Sequence, residues 1–488
     1  MKKVLLIGLY ICFFTNINAD SIRFTKQQML EDFDFLYEKI RTVNPHLGVR
    51  YEVTGTDILA KIKNNRKSID TVSSESSYYD IIAKTFLLCQ DGHTNLILYY
   101  PDKYTDTSYI NQAIKTSQEF KKKYFKYSPY SSLKVFYING EYFFPDIFDN
   151  ENVLQIPKKA KLLKINGIDI DEYVEKWNVP IHPSVRWDQN RKKYYTLTIF
   201  PPSITGLDEK FLITYSYGQE IKEIELTSFR IKYPQGKGSR DIRVNYFDKD
   251  KILYIRVPAM DASKIDHYKQ EIEKHKGKEI SKVLIDVRSN GGGNDLTWKE
   301  ILASIIKDTI NIPQKLCFKD SHVVKQLLDK QEIPIAENTP LIIGQDSLFC
   351  ITGYREIIPS NNSILHNGNI YVIINESCYS STLAFSSACK TVSKLITIGT
   401  PTGILGGEGI RPFYFVLPNS KLIFSIASSL DGNVQGNDVE NYYHDDIEIP
   451  IYPDLDYYCT EFEYKDEFYD EYFLYNIDPV FKTILKLE

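Results

Sequence analysis

Near the N-terminus the apolar residues recur at helical spacing. In TKQQMLEDFDFLYEKIRTVNP, Met29, Phe33, Leu36, Tyr37 and Ile40 share one face and Pro45 follows the end, which predicts a helix. SSYYDIIAKTFLLCQ predicts a second helix that stops before the turn residues Asp91 and Gly92. From about Ser132 to Leu226 the period shortens, and LKVFYI, EYFFP, KLLKI, YTLTIF, KFLITYSYG and KEIELT read as strands separated by turns. Within this stretch KAKLLKINGIDIDEYVEKW reads as a strand, an Asn-Gly turn and a short helix. From about Val244 to Ile451, strands and helices alternate. ILYIRVP is followed by a helix through HYKQEIEKH, VLIDV by one through WKEILASII, and IYVII by one after Tyr379, before KLITIG. That alternation predicts an α/β core. Asp456 to Tyr475 is acidic and rich in tyrosine, and IDPVFKTILKLE closes the chain as a helix.

Length turns this succession into domains, because 488 residues exceed what one simple core holds. The expected division is a signal peptide at 1–19, a helical domain at 20–98, a β-rich module at 99–240, an α/β core at 241–455, and an acidic tail with a terminal helix at 456–488. Lys2 and Lys3 precede the apolar run VLLIGLYICFF, with Ala19 just before Asp20, the pattern of an export signal. The run is too short to span a bilayer, and no later segment is long and apolar enough, so no transmembrane segment is expected. A periplasmic or extracellular location follows. The net charge of −5 gives no electrostatic reason to expect a nucleic acid as partner. Seven cysteines without a C-x-x-C spacing argue against zinc. Neither a metal nor a cofactor is expected.

Three places could carry chemistry. VLIDVRSNGGG runs from a buried strand through Asn290, Gly291, Gly292 and Gly293 into a helix opening at Asp295. Backbone without Cβ atoms beside a helix N-terminus suits an anion. A P-loop would need Gly-Lys-Ser/Thr and a dinucleotide loop G-x-G-x-x-G, and the chain has neither here. With Asp295 opposing a phosphate, an oxyanion remains. Ser380 ends the strand IYVII through NESCYS and begins the helix STLAFSSACK, a position suited either to a nucleophile or to an ordinary helix cap. Ser381 is its rival in both roles. His93, in LLCQDGHTNLIL, is the best placed of eight histidines for a base, beside Asp91 and Thr94, though a DGH turn also forms without any catalytic purpose. His46 and His444 have less around them in sequence. Glu440, Asp445 and Asp446 lie in an acidic loop near the last core strand.

DGHTNL, VLIDVRSNGGG, NESCYSSTLAFSSA and NDVENYYHDDIEI, in that order, resemble the motifs of the tail-specific or C-terminal processing family of serine peptidases, whose core is shared with tricorn protease. LLKINGIDIDEYV resembles a piece of the PDZ-like module of that family. The resemblance implies an α/β fold with a ClpP/crotonase-like core of stacked β-β-α units, an N-terminal helical domain and a PDZ-like middle module. One branch of the family uses a Ser–Lys dyad. TIGTPTGILGGEGIRP, where that lysine would stand, has none. The Ser–His–Glu branch places its glutamate about sixty residues past the serine, which points to Glu440. By resemblance, Ser380, His93 and Glu440 are catalytic, and Gly291 or Gly292 with Ser381 form the oxyanion hole. The implied substrates are polypeptides, taken near a C-terminus. Two other readings remain: an inactive member that binds a peptide or apolar ligand, and an acyl-CoA enzyme of related fold, which the export signal disfavours.

Overall fold

The run Val283 to Val287 becomes the middle of a six-stranded sheet in the computed structural model, which describes residues 22–96, 111, 113–119, 132–178, 185–199, 210–227, 232–233, 241–335, 338–402, 412–433, 439, 447–464 and 469–487. The order across the sheet is Arg243–Phe247, Ile252–Arg256, Lys282–Asp286, Ile370–Ile374, Leu395–Gly399 and Ile449–Pro450. The first pair is antiparallel and the others are parallel. Parallel strands covered on both faces need apolar residues without alternation. Accordingly every residue of Ile252–Arg256 and Ile370–Ile374 is buried. Helices Ile265–Glu273, Leu296–Ala303 and Ser381–Cys389 cover one face through Tyr268, Ile272, Trp298, Leu302, Leu383 and Phe385.

The other face meets the C-terminal segment. The sequence pattern shows only an acidic, tyrosine-rich stretch there, yet Leu455–Glu463 and Glu471–Asn476 are helical, followed by the expected helix Pro479–Lys486. Phe473, Leu474, Val480, Phe481 and Ile484 seal the sheet against Tyr254, Leu284 and Tyr371.

The predicted N-terminal helices are Lys26–Val43 and Glu75–Leu87, with two further helices, Leu47–Thr54 and Ile58–Arg66, between them. Thr25 and Gln28 form a capping box at the first, and its Met29, Phe33, Leu36, Ile40 and Val43 are buried. They pack against Phe318 and Phe349 of a hairpin that sequence periodicity does not reveal. Its long antiparallel strands Ile310–Lys319 and Asp346–Ile357 carry the helix His322–Lys330 and the edge strand Asn338–Ile343 between them. Cys317 and Cys350 face each other across it, joined by a disulfide. Cys89, Cys378, Cys389 and Cys459 are buried free thiols.

In the β-rich stretch, Glu220–Thr227, Lys210–Tyr217, Lys161–Ile165, Glu141–Phe143 and Phe136–Ile138 form one antiparallel sheet, with Ile168–Asp169 beside Lys161–Ile165. The short helix Ile170–Tyr173 follows the Asn-Gly turn as expected. No described helix is long and apolar enough to cross a membrane. The export run and residues 97–110 fall outside the described residues.

Candidate active site

The glycine loop and the Ser380 turn leave the carboxyl ends of two adjacent parallel strands, Lys282–Asp286 and Ile370–Ile374, where open α/β sheets place their ligands. Backbone and side-chain bonds lace the two together. Ser289 N–H donates to Asn375 Oδ1 at 2.8 Å, Cys378 Sγ–H to the Val287 carbonyl at 3.2 Å, and Tyr379 N–H to the Asn290 carbonyl at 3.1 Å. Arg186, from the β-rich stretch, donates through Nε and Nη2 to the Glu376 carbonyl at 2.9 and 2.7 Å.

Ser380 occupies the N-cap position of helix Ser381–Cys389, but its hydroxyl caps nothing. Its backbone stands at φ 56°, ψ −123°, a conformation that costs a non-glycine residue about 1–3 kcal/mol. Such strain persists where the surroundings enforce it, and here it turns Oγ away from the helix. Oγ lies 3.0 Å from His93 Nε2. The helix-cap reading of Ser380 thus fails on geometry. Ser381 is committed elsewhere, since its hydroxyl donates to Asp295 Oδ1 at 2.6 Å, and Asp295 also pairs with Arg355 at 3.3 Å.

His93 arrives from the N-terminal helices. Its turn is fixed by Asn95–Leu96 pairing with Ser425 and Phe424, and by Ser425 Oγ donating to the His93 carbonyl at 2.5 Å. Asp91, buried beside it, accepts from His93 N–H at 2.8 Å and from Thr94 Oγ1 at 2.6 Å. Its Oδ1 lies 3.9 Å from His93 Nδ1, too far for a hydrogen bond but close enough to favour a positive ring. Burial pushes the His93 pKa down, and Asp91 opposes the shift. A neutral imidazole at neutral pH is the form a general base needs.

His46, a weaker candidate in the sequence, and Tyr379, which the sequence does not single out, both belong to this cluster. His46 is buried, its Nε2 3.1 Å from the Ser429 carbonyl, and burial brings its pKa down to about 4. The partner lies 383 positions away, so nothing local in sequence marks it. Tyr379 stacks on the His93 ring with centroids 4.9 Å apart, and its hydroxyl lies 3.1 Å from Nδ1. One tyrosine among 36 carries no signature.

The glycines divide. Gly292 N–H donates to Asn290 Oδ1 at 2.8 Å and is spent. Its φ is +98°, and a Cβ there would stand 2.7 Å from Ser380 Cβ and the Tyr379 carbonyl oxygen, so only glycine lets the loop approach the serine. The Gly291 and Ser381 N–H groups have no hydrogen-bond partner among the described residues. Arg288 turns away from the site, pairing with Asp286 and Asp478 at 2.6 Å each. Glu440, Asp445, Asp446 and His444 lie outside the described residues. Among the described residues no His, Cys, Asp or Glu cluster could hold a metal ion.

Residues 251–449, which contain both the glycine loop and Ser380, match the model of Peptidase family S41. Over this stretch the core is similar to that family. That match supports reading the chain as a serine peptidase. A solved structure of mature CPAF aligns with 87% of this chain and 92% of its own at 14% identity, with a TM-score of 0.55. Mature CPAF complexed with lactacystin aligns with 87% and 94% at 13% identity and 0.54. Both likenesses concern the fold. The photosystem II D1 C-terminal processing protease aligns over 90% of this chain and 98% of its own at 12% identity, with a TM-score of 0.39, too distant to add to that. No curated protein matches.

Proposed function

We propose that the protein is an exported serine endopeptidase in which Ser380 is the nucleophile and His93 its general base. The observation that carries this is the 3.0 Å approach of His93 Nε2 to the Oγ of a serine held in a strained turn. The Ser380 hydroxyl gives its proton to Nε2 as Oγ attacks a peptide carbonyl. The imidazolium then returns the proton to the leaving amine. Gly291 N–H and Ser381 N–H are the oxyanion donors, each typically worth 10²–10³ in rate. Gly292 serves as the close-packing residue between them instead of as a donor. Glu440 stabilises the imidazolium, together with the charge of Asp91.

Around this site the fold is read as a ClpP/crotonase-like core spanning 241–455. The N-terminal helical domain 20–98 supplies the histidine. A PDZ-like module within 99–240 holds a substrate C-terminus, and a tail at 456–488 closes the far face of the sheet. Residues 1–19 direct export to the periplasm or beyond. The buried Cys317–Cys350 disulfide supports that, since such bridges persist in oxidising compartments.

The test is labelling by a serine-directed fluorophosphonate together with hydrolysis of an unstructured polypeptide. The parent is expected to label at Ser380 and to cleave, while Ser380→Ala does neither and stays folded. Full cleavage by Ser380→Ala would remove the scheme. A folded parent that neither labels nor cleaves would mark the chain as a binding protein on a peptidase fold.

A further inference from the structure

Nδ1 of His93 meets the hydroxyl of Tyr379, the residue just before the nucleophile. The same oxygen accepts the Gly92 N–H at 2.9 Å. Gly92 makes the approach possible, since a Cβ there would sit 3.0 Å from the Tyr379 hydroxyl and ring edge. The Tyr379 backbone is engaged as well. Its N–H donates to the Asn290 carbonyl, and its carbonyl accepts from Thr382 and lies where a Gly292 side chain would be. One residue therefore touches the histidine turn, the nucleophile turn and the glycine loop.

We propose that Tyr379 is the positioning residue that holds His93 in its productive tautomer, its phenol oxygen accepting the Nδ1–H while Nε2 faces Ser380. The inference rests on the Ser380–His93 reading above. The proton balance requires it. A phenol that donated to Nδ1 would leave the imidazole proton on Nε2, aimed at Ser380, where it blocks base catalysis. Once the serine proton reaches Nε2, both ring nitrogens carry hydrogen, and only an acceptor is compatible at Nδ1. The phenol oxygen can accept from both Gly92 N–H and Nδ1–H, with its own proton turned to a third group. A tyrosine also contributes a ring that stacks on the imidazole and fixes its plane, which a carboxylate does not.

Tyr379→Phe keeps the ring and the backbone bonds and removes only the acceptor. The titratable and charged groups facing His93 among the described residues, Asp91 and His46 with Arg50 behind it, are unchanged. The expected result is an unaltered melting temperature, a roughly tenfold or greater fall in kcat and in fluorophosphonate labelling rate, and a nearly constant KM. The acid limb of the pH–rate profile moves to lower pH, because the imidazolium has lost an acceptor. In ¹⁵N NMR, His93 shifts from the Nδ1–H form toward Nε2–H. A labelling rate within twofold of the parent, with the same acid limb and tautomer, would overturn the inference. If parent Ser380 does not label at all, the peptidase reading fails on its own, and the NMR comparison still decides what Tyr379 does.

Discussion

His46 shows how a single buried group ties the site to solution conditions. The folded protein keeps it neutral, with its pKa brought down by burial to about 4, whereas the unfolded chain takes up a proton near 6.5. Its contribution to stability is therefore complete above pH 6.5 and is lost as the pH falls from there toward 4, by about 3 kcal/mol in all. The His93 pKa is also lowered by burial, so its contribution has the same sign. His46→Gln keeps a donor for the Ser429 carbonyl but cannot titrate. In urea titrations at pH 7.5 and 4.5, the parent is expected to lose about 2–3 kcal/mol more than the variant between the two. Equal losses would show that His46 gains a proton in the folded state as easily as in the unfolded one. This residue also marks the limit of reading by neighbours. Asn44, Asp91 and Thr94 gather around the same turn through contacts of 47 and 50 positions, and local sequence hides such clusters.

At the level of elements, the strands with unbroken apolar runs are legible in the sequence. KLLKI and IYVII coincide with Lys161–Ile165 and Ile370–Ile374 to the residue, the second because burial on both faces leaves nothing polar to blur its ends, the first because Leu162 and Ile165 are buried while Lys164 is exposed and an Asn-Gly turn closes it. The hairpin from Ile310 to Ile357 is not legible, since its strands mix exposed and buried positions without alternation and depend on a partner to exist. The C-terminal helices are hidden for a different reason: their apolar docking residues are scattered through an acidic, tyrosine-rich stretch, and a buried ion pair helps to hold them. Arg288, next to the glycine loop, lies between the fully buried carboxylates of Asp286 and Asp478, and under the Tyr469 ring at 4.2 Å. Asp478 also caps helix Pro479–Lys486 through Val480 N–H at 2.8 Å. Asp478→Ala removes the cap and half of the compensation of a buried guanidinium, so a loss of about 2–4 kcal/mol is expected. Chemical denaturation measures it, and a change under about 0.5 kcal/mol would mean that Asp286 alone satisfies Arg288.

Across the whole molecule the candidate site is a meeting of two bodies of sequence. Ser380 and the glycines stand on the central sheet, while His93 stands on the N-terminal helices, 287 positions from its partner. Motif resemblance brings both to attention, but no spacing rule joins them. What holds them in register is packing between Phe33, Leu36 and Phe86 of the helices and Phe318, Phe349, Phe413 and Phe424 of the strands beneath. The disulfide lies at the root of this arrangement, since Cys317 and Cys350 directly precede and follow Phe318 and Phe349 in the paired strands. Closing a loop of 33 residues stabilises the folded state by about 3–4 kcal/mol in the chain-entropy account. A Cys317→Ala/Cys350→Ala variant is therefore expected to lose stability by about that amount, and to lose it unevenly. Hydrogen exchange should rise first in Lys26–Val43 and at the His93 turn, before Lys282–Asp286 in the sheet, because the helices rest on Phe318 and Phe349 beside the disulfide, whereas the core of the sheet takes in only the far ends of the hairpin, Ile312 and Ile357. Labelling of Ser380 should then fall at temperatures where the sheet is still protected, since the base departs before the nucleophile unfolds. Simultaneous loss of protection in helices and sheet would instead make the molecule one cooperative unit, with its two catalytic halves unable to separate short of global unfolding.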